Sequence, residues 1–259
     1  MTQAARTGRT RRPRRDTARR RIERAERILD AAAELVVRWG YDKTTVDDVA
    51  RRAGVAKGTI YLHWASREDL FAVLLRRERT LMVAEVRDLV RADPASATPQ
   101  GVFAHLAREL LRRPLLRGVL TGDPVVLGKL AHMKRTSTTT TDMVSSFEEY
   151  LGTLRRHGLV RDDLSLADHV TIVGAVLYGS LVSTPLMPEP YRVSDERVGE
   201  LIGDALERTL STGRHPTAAE RRTCEAATLE FLDRAHETAQ RKLGESLGAT
   251  TTPEGGASS

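Results

Sequence analysis

Apolar residues recur at helical spacing along most of this chain. Ala25, Ile28, Leu29, Ala32, Leu35, Val36 and Trp39 form one stripe of a first helix, and Gly40 follows as a C-terminal stop. Thr45 with Asp48 reads as a capping box ahead of Val46, Val49, Ala50 and Ala53, the stripe of a short second helix. Gly54 can take the left-handed backbone that closes a helix, Val55 can fill the angle, and Ala56 to Leu62 predicts a short third helix. Ser66 and Asp69 repeat the capping pattern before Leu70, Val73 and Leu74, and this fourth helix extends to about Val90, where Asp93-Pro94 ends it. Two amphipathic segments meeting across Ala53-Gly54-Val55 make a helix-turn-helix at about 44–63.

Beyond Pro94 the pattern stays helical, without convincing period-two strands. Helices are predicted at about 99–112, 115–121, 124–133, 137–157, 165–184, 194–212 and 217–243. The fold class is therefore all-α: a three-helix head at 21–81, followed by a helical domain at 82–243. Residues 1–20 lack apolar periodicity and predict a disordered basic arm, and 244–259, rich in Gly, Thr and Ser, predict a flexible tail. The apolar segment Asp168 to Pro185 carries Gly174, Ala175, Gly179 and Ser180 at close helical spacing, which suits either an interface or a buried helix.

Charge sharpens this picture. The chain has 259 residues and a formal net charge of +6, and the excess sits in the arm, where eleven arginines from Arg6 to Arg27 oppose only Asp16, Glu23 and Glu26. Such asymmetry points to a local anionic partner, a nucleic acid or an anionic membrane surface. One cysteine, Cys224, excludes an intrachain disulfide framework and suits a reducing cytoplasm. No run approaches eighteen uninterrupted apolar residues, so no membrane span or anchor is expected.

A helix-turn-helix places its second helix in the DNA major groove while the first braces it against the backbone. The exposed side of the third helix is expected to carry Ala56, Lys57, Thr59 and His63. Lys57 can donate to a guanine edge or a phosphate, Thr59 can bond a phosphate or touch a thymine methyl, and Tyr61 can reach a phosphate. Gly58 removes a side chain that would hold the backbone away from DNA. Thr44 and Thr45 before the second helix, and Arg67 at the start of the fourth, are candidate phosphate clamps at helix N-termini. His63 is equally readable as a helix-end residue, and Trp64 as packing.

Thr44-Thr45-Val46, Ala50 through Gly54, Lys57-Gly58-Thr59-Ile60-Tyr61, His63-Trp64 and Ser66 through Leu70 resemble the DNA-binding domain of the TetR family of transcriptional regulators. The match covers roughly residues 22–80. It departs at Ala56, where Ser is common, and at Arg67, where Lys is common. The resemblance implies a double-stranded DNA operator as partner, contacts through Thr45, Lys57, Thr59, Tyr61 and Arg67, and a C-terminal domain that dimerises and binds an unidentified small-molecule effector. It maps a homodimer interface to about 165–184 and 194–212. Effector-pocket candidates between the fourth helix and that interface are Phe103, Leu106, Leu110, Met133, Met143, Phe147, Tyr150, Leu151, Ile172, Val176 and Tyr178, most of them equally well explained as core.

No enzyme is expected, since GxSxG is absent and His132, His157 and His169 lack companions at metal-ligand spacing. Neither metal nor cofactor is implied. The combined reading is a cytoplasmic, ligand-responsive regulator, with an architectural, low-specificity DNA-binding protein as the alternative. Deleting residues 1–20 is expected to weaken DNA binding and to flatten its salt dependence, by about 0.9 in log–log slope for each phosphate no longer neutralised. Titrations across a salt series check this, and an unchanged slope would reduce the arm to a solubilising tail.

Overall fold

The computed structural model describes residues 12–121 and 138–248. Among these the helices are α1 (Arg12–Trp39), α2 (Val46–Ala53), α3 (Lys57–Tyr61), α4 (Arg67–Ala92), α5 (Pro99–Arg112), α6 (Pro114–Thr121), α7 (Thr138–Arg156), α8 (Leu166–Ser183), α9 (Asp195–Leu210) and α10 (Ala218–Gly248). The one β contact among the described residues is an isolated antiparallel bridge between Val160 and Ser211. The helix expected at 124–133 lies outside the described residues.

Two boundaries differ from expectation. Residues 12–20, assigned to a disordered arm, are the first turns of α1. Pro13 falls in the opening turn, where its missing N–H has no intrahelical partner to lose, and Arg19 pairs with Glu23 one turn on at 2.8 Å. Residues 244–248, assigned to a loose tail, continue α10, because Leu243 and Leu247 pack onto the head.

The head is held by one apolar cluster. Ile28 and Leu29 of α1, Val49 of α2, Ile60 of α3, and Leu70 and Leu74 of α4 are all buried in it. Complete burial of such side chains contributes about 1.5–3 kcal/mol each. Leu115 of α6 joins the same cluster, so the head is packed against the body as well as tethered to it by α4. Arg77 of α4, only 10% exposed, reinforces the contact by reaching Asp30 at 2.7 Å and Glu26 at 3.2 Å on α1.

The body core is built from α4, α5, α7, α8, α9 and the first half of α10, with Phe103, Leu110, Phe147, Leu151, Leu154 and Leu206 among its buried members. α9 lies closely against α5 because Gly199 and Gly203 face it. A Cβ at Gly203 would stand 2.7 Å from the Gln100 carbonyl oxygen and 3.0 Å from the Ala104 methyl. α8 begins with a complete capping box from Ser165 and Asp168 and buries His169, Val173 and Leu181 against the body.

Its other face is uncovered. Tyr178 is 49% exposed, and Leu186, Met187, Tyr191, Val193 and Leu201 continue an apolar surface through the connector onto α9. Residues Leu166–Leu186 are in fact long and apolar enough to cross a membrane, with mean hydropathy 1.4, which counting uninterrupted apolar runs did not reveal. This helix packs along α7 and α9 and leaves small residues on its open face.

Gly203→Ala is expected to destabilise the protein by about 1–3 kcal/mol, because the clash is with backbone that cannot rotate away. Urea unfolding against the parent chain measures it, and equal midpoints would mean that α5 and α9 can separate freely.

Candidate nucleic-acid interface

The reading surface is assembled from short-range signals. Thr45 caps α2: its Oγ1 accepts from the Asp48 N–H at 3.1 Å, while the Asp48 carboxylate accepts from the Thr45 N–H at 3.2 Å. The Thr45 hydroxyl, which donates to the same carboxylate, and then the Thr45 N–H hold the Asp48 carboxyl below the usual carboxylate range. Gly54 closes α2 at φ 66°, returning its N–H to Ala50 and Arg51 carbonyls, and the chain turns directly into α3. Ile60 anchors α3 in the head core, and Trp64 is buried beyond it, as expected of a packing residue.

With Ile60 inward, α3 presents Ala56, Lys57, Gly58 and Tyr61 outward, with Thr59 half-buried at the edge. Nothing lies within 4 Å of a Cβ built on Gly58, so internal packing does not require glycine there. What the missing side chain does provide is close approach from outside. Leu62, 72% exposed beside Tyr61, belongs to this surface although the pattern of polar donors gave no reason to nominate it.

Lys57 is engaged within the free protein: its Nζ lies 2.8 Å from Asp47 Oδ2 in the first turn of α2, and that hydrogen bond raises the lysine pKa. Both side chains are about half exposed, so the pair contributes little stability and can be exchanged for a phosphate or a base.

Three nominated residues take other roles. Thr44 is fully buried, and its Oγ1 donates to the Gly40 carbonyl at 2.8 Å, so its side chain offers nothing to DNA. His63 is also buried, since it lies past the end of α3, where the chain turns inward beside Trp64 with ring centroids 5.2 Å apart. Burial, with Arg21 and Arg24 nearby, lowers the His63 pKa and favours the neutral ring. Arg67 does not project as a clamp. Its guanidinium lies over the Tyr41 ring, 3.8 Å from the centroid, and donates to the Thr44 carbonyl at 3.1 Å and to the Tyr41 carbonyl. It pins the loop that leads into α2, and a planar fork does this better than the ammonium of Lys. Tyr41, buried and edge-on to Phe71, completes that tie and carried no sequence signal beyond its aromaticity.

Arg21 and Arg24, whose charge acts on His63, belong to the basic part of α1. Arg19, Arg20, Arg24 and Arg27 are exposed on that helix.

Most of the nominated pocket residues that the structure describes are buried in the body core. Phe103, Leu110, Phe147, Tyr150 and Leu151 are buried, Leu106, Ile172 and Val176 pack against them, and Tyr178 faces outward. Phe103 meets Phe147 edge-on at 5.6 Å, and Tyr150 stacks on Phe231 at 4.9 Å. Met133 and the Met143 side chain lie outside the described residues. Two clefts do occur in the body. A groove of about 760 Å³ between α7 and α10 includes Tyr150, and a cleft of about 520 Å³ lies between the α4–α5 loop, the end of α9 and the start of α10.

The architecture is an N-terminal helix-turn-helix head joined by a long helix to an all-α body. Residues 28–74 match the model of the bacterial regulatory proteins, tetR family. An uncharacterised HTH-type transcriptional regulator of Mycobacterium bovis is 28% identical over 155 residues, 59% of this chain and 79% of the relative. The HTH-type transcriptional activator FasR of Mycolicibacterium smegmatis is 38% identical over 71 residues, 27% of this chain but only 32% of its own length. The fold agrees with the fatty acid degradation regulator FadR from Bacillus halodurans at a TM-score of 0.55 and 17% identity, covering 74% of this chain and 97% of that one. Residues 28–74 are thus similar to the DNA-binding domain of the tetR family of bacterial regulatory proteins, and most of the chain shares the all-α fold of a solved regulator.

Asp47→Asn is expected to strengthen binding to random duplex DNA several-fold by freeing Lys57 and removing a carboxylate near the phosphates. Fluorescence anisotropy checks this, and unchanged affinity would mean that Lys57 does not face the DNA.

Proposed function

We propose that the protein acts in the cytoplasm as a homodimeric, ligand-responsive repressor that binds a palindromic operator and is released by a small-molecule effector. The observation that carries the reading is the outward face of α3. Ala56, Gly58 and Tyr61 are exposed, and Lys57 is held only by a half-exposed pair with Asp47, on a helix whose other side is fixed by Ile60. Lys57 supplies a donor for a base edge or phosphate, Tyr61 a hydroxyl on a rigid ring, Thr59 a hydroxyl at the edge, and Gly58 the clearance. Thr45 remains exposed at the mouth of α2, where its backbone and cap can approach a phosphate.

Dimerisation is supported by the uncovered apolar surface of Tyr178, Leu186, Met187, Tyr191, Val193 and Leu201, which a two-fold axis would bury against itself. A symmetric pair of heads reads two half-sites about 34–36 Å apart, one turn of DNA, or a multiple of that spacing. An effector that binds better to a dimer with differently spaced heads shifts the population away from the operator-bound form. Two body clefts offer room for such a molecule, and a solved structure of this fold from Saccharomonospora viridis (TM-score 0.54, 19% identity) is in complex with choline.

The arginines on α1 support one competing reading, an architectural protein whose affinity comes from charge alone. Selection from random duplexes distinguishes the two. The regulator is expected to bind the selected duplex about 10³-fold or more tightly than random DNA, and to lose most of that ratio in Lys57→Ala. A ratio of only a few in the parent chain would favour the architectural reading and overturn ours.

A further inference from the structure

α10, like α4 and α6, touches both the body and the head. At 31 residues it extends about 46 Å, and its apolar positions change partners along that length. Near its start Cys224 and Ala227 are buried in the body core, and Thr228 Oγ1 donates to the Ala97 carbonyl at 3.2 Å while meeting the Tyr150 hydroxyl at 2.9 Å. Midway, Leu232 is buried with Val86 and Val90 of α4, and Asp233 accepts both its bonds from Arg91 Nη2, at 2.6 and 2.9 Å. At its end Leu243 and Leu247 pack on the core of the DNA-binding head, and Arg76 donates to Ser246 at 2.9 Å.

The same helix walls both body clefts. Ala227, Glu230, Phe231 and Arg234 line the groove against α7, and Ala218, Arg221, Cys224 and Glu225 line the distal cleft. An occupant of either cleft bears on a helix whose far end rests on the head. A continuous helix transmits displacement because each turn is fixed to the next by its backbone bonds, with no loop to absorb the motion.

We propose that α10 is a rigid strut that sets the orientation of the head relative to the body, and that the two clefts act on DNA binding through it. The strut holds the head in its DNA-reading orientation before DNA arrives, so that binding need not supply the cost of ordering it. The proposal rests on the DNA-binding reading for its regulatory consequence, whereas the mechanical contact between α10 and the head stands apart from it.

Two full-length variants test the strut. Leu243→Ser/Leu247→Ser removes the apolar contact with the head, and three glycines inserted after Gln240 leave that contact able to form while breaking the helix that carries it. Both are expected to weaken binding to the selected duplex by about tenfold with an unchanged salt slope, since the phosphate contacts themselves are intact. Without DNA, the Leu243→Ser/Leu247→Ser chain is expected to show about tenfold faster amide exchange in α1 and the first turns of α4, with α5 and α9 unchanged. Equal exchange in that variant and the parent would overturn the strut whatever the DNA result. A glycine insertion that binds DNA as tightly as the parent would reduce α10 to a docked patch without mechanical continuity. If the parent chain shows no preference for any duplex but the exchange difference appears, the regulator reading has failed and the contact has survived.

Discussion

The reading helix spans only Lys57–Tyr61, and a helix of five residues has no stability of its own in water. Everything that defines its direction must come from the residues around it. Ile60 and Trp64 bury its inner side, Gly54 sets the angle at which it leaves α2, and Arg67 ties the preceding loop to the start of α4 through two carbonyls and the Tyr41 ring. The outward side chains can therefore be small or mobile without loss of geometry. Ala56 and Gly58 bring little stability, and they leave the backbone accessible.

The same dependence extends into the body. The head core includes Leu115 of α6 and is touched by Leu243 and Leu247 of α10, while Arg77 on α4 binds carboxylates on α1. The orientation of five residues at one end of the molecule is thus connected to packing throughout its length. An uncovered apolar face on α8 and α9 lies on the body and not on the head. The outward face of α3 and this apolar face are consequently separate surfaces, joined by α4 and α10.

The local architecture was legible because its determinants are local. Thr45 with Asp48 forms a capping box, Ser66 caps α4 by accepting from the Asp69 N–H, Gly54 takes the left-handed conformation, and prolines stand at helix starts such as those of α5 and α6. Side-chain direction was less legible, since it depends on what a residue meets outside its own helix. Thr44 turned to the Gly40 carbonyl, and Arg67, nominated for its charge, folded over Tyr41. Aromatic and aliphatic residues of the body could be read as pocket or as core. Spacing within each helix cannot separate these, because only the partner across the gap, such as Phe147 for Phe103, decides it. The extension of α1 to Arg12 was hidden by the lack of apolar periodicity in an arginine-rich stretch, which helical pairing such as Arg19 with Glu23 does not need.

The central claim is that two copies of α3 read one face of duplex DNA. Hydroxyl-radical footprinting on the selected duplex tests it most directly. The predicted result is two protected patches related by two-fold symmetry and separated by one helical turn or a multiple of it, with both patches weakened together in Lys57→Ala. Protection confined to one patch, or spread evenly along the duplex and unaffected by Lys57→Ala, would contradict it.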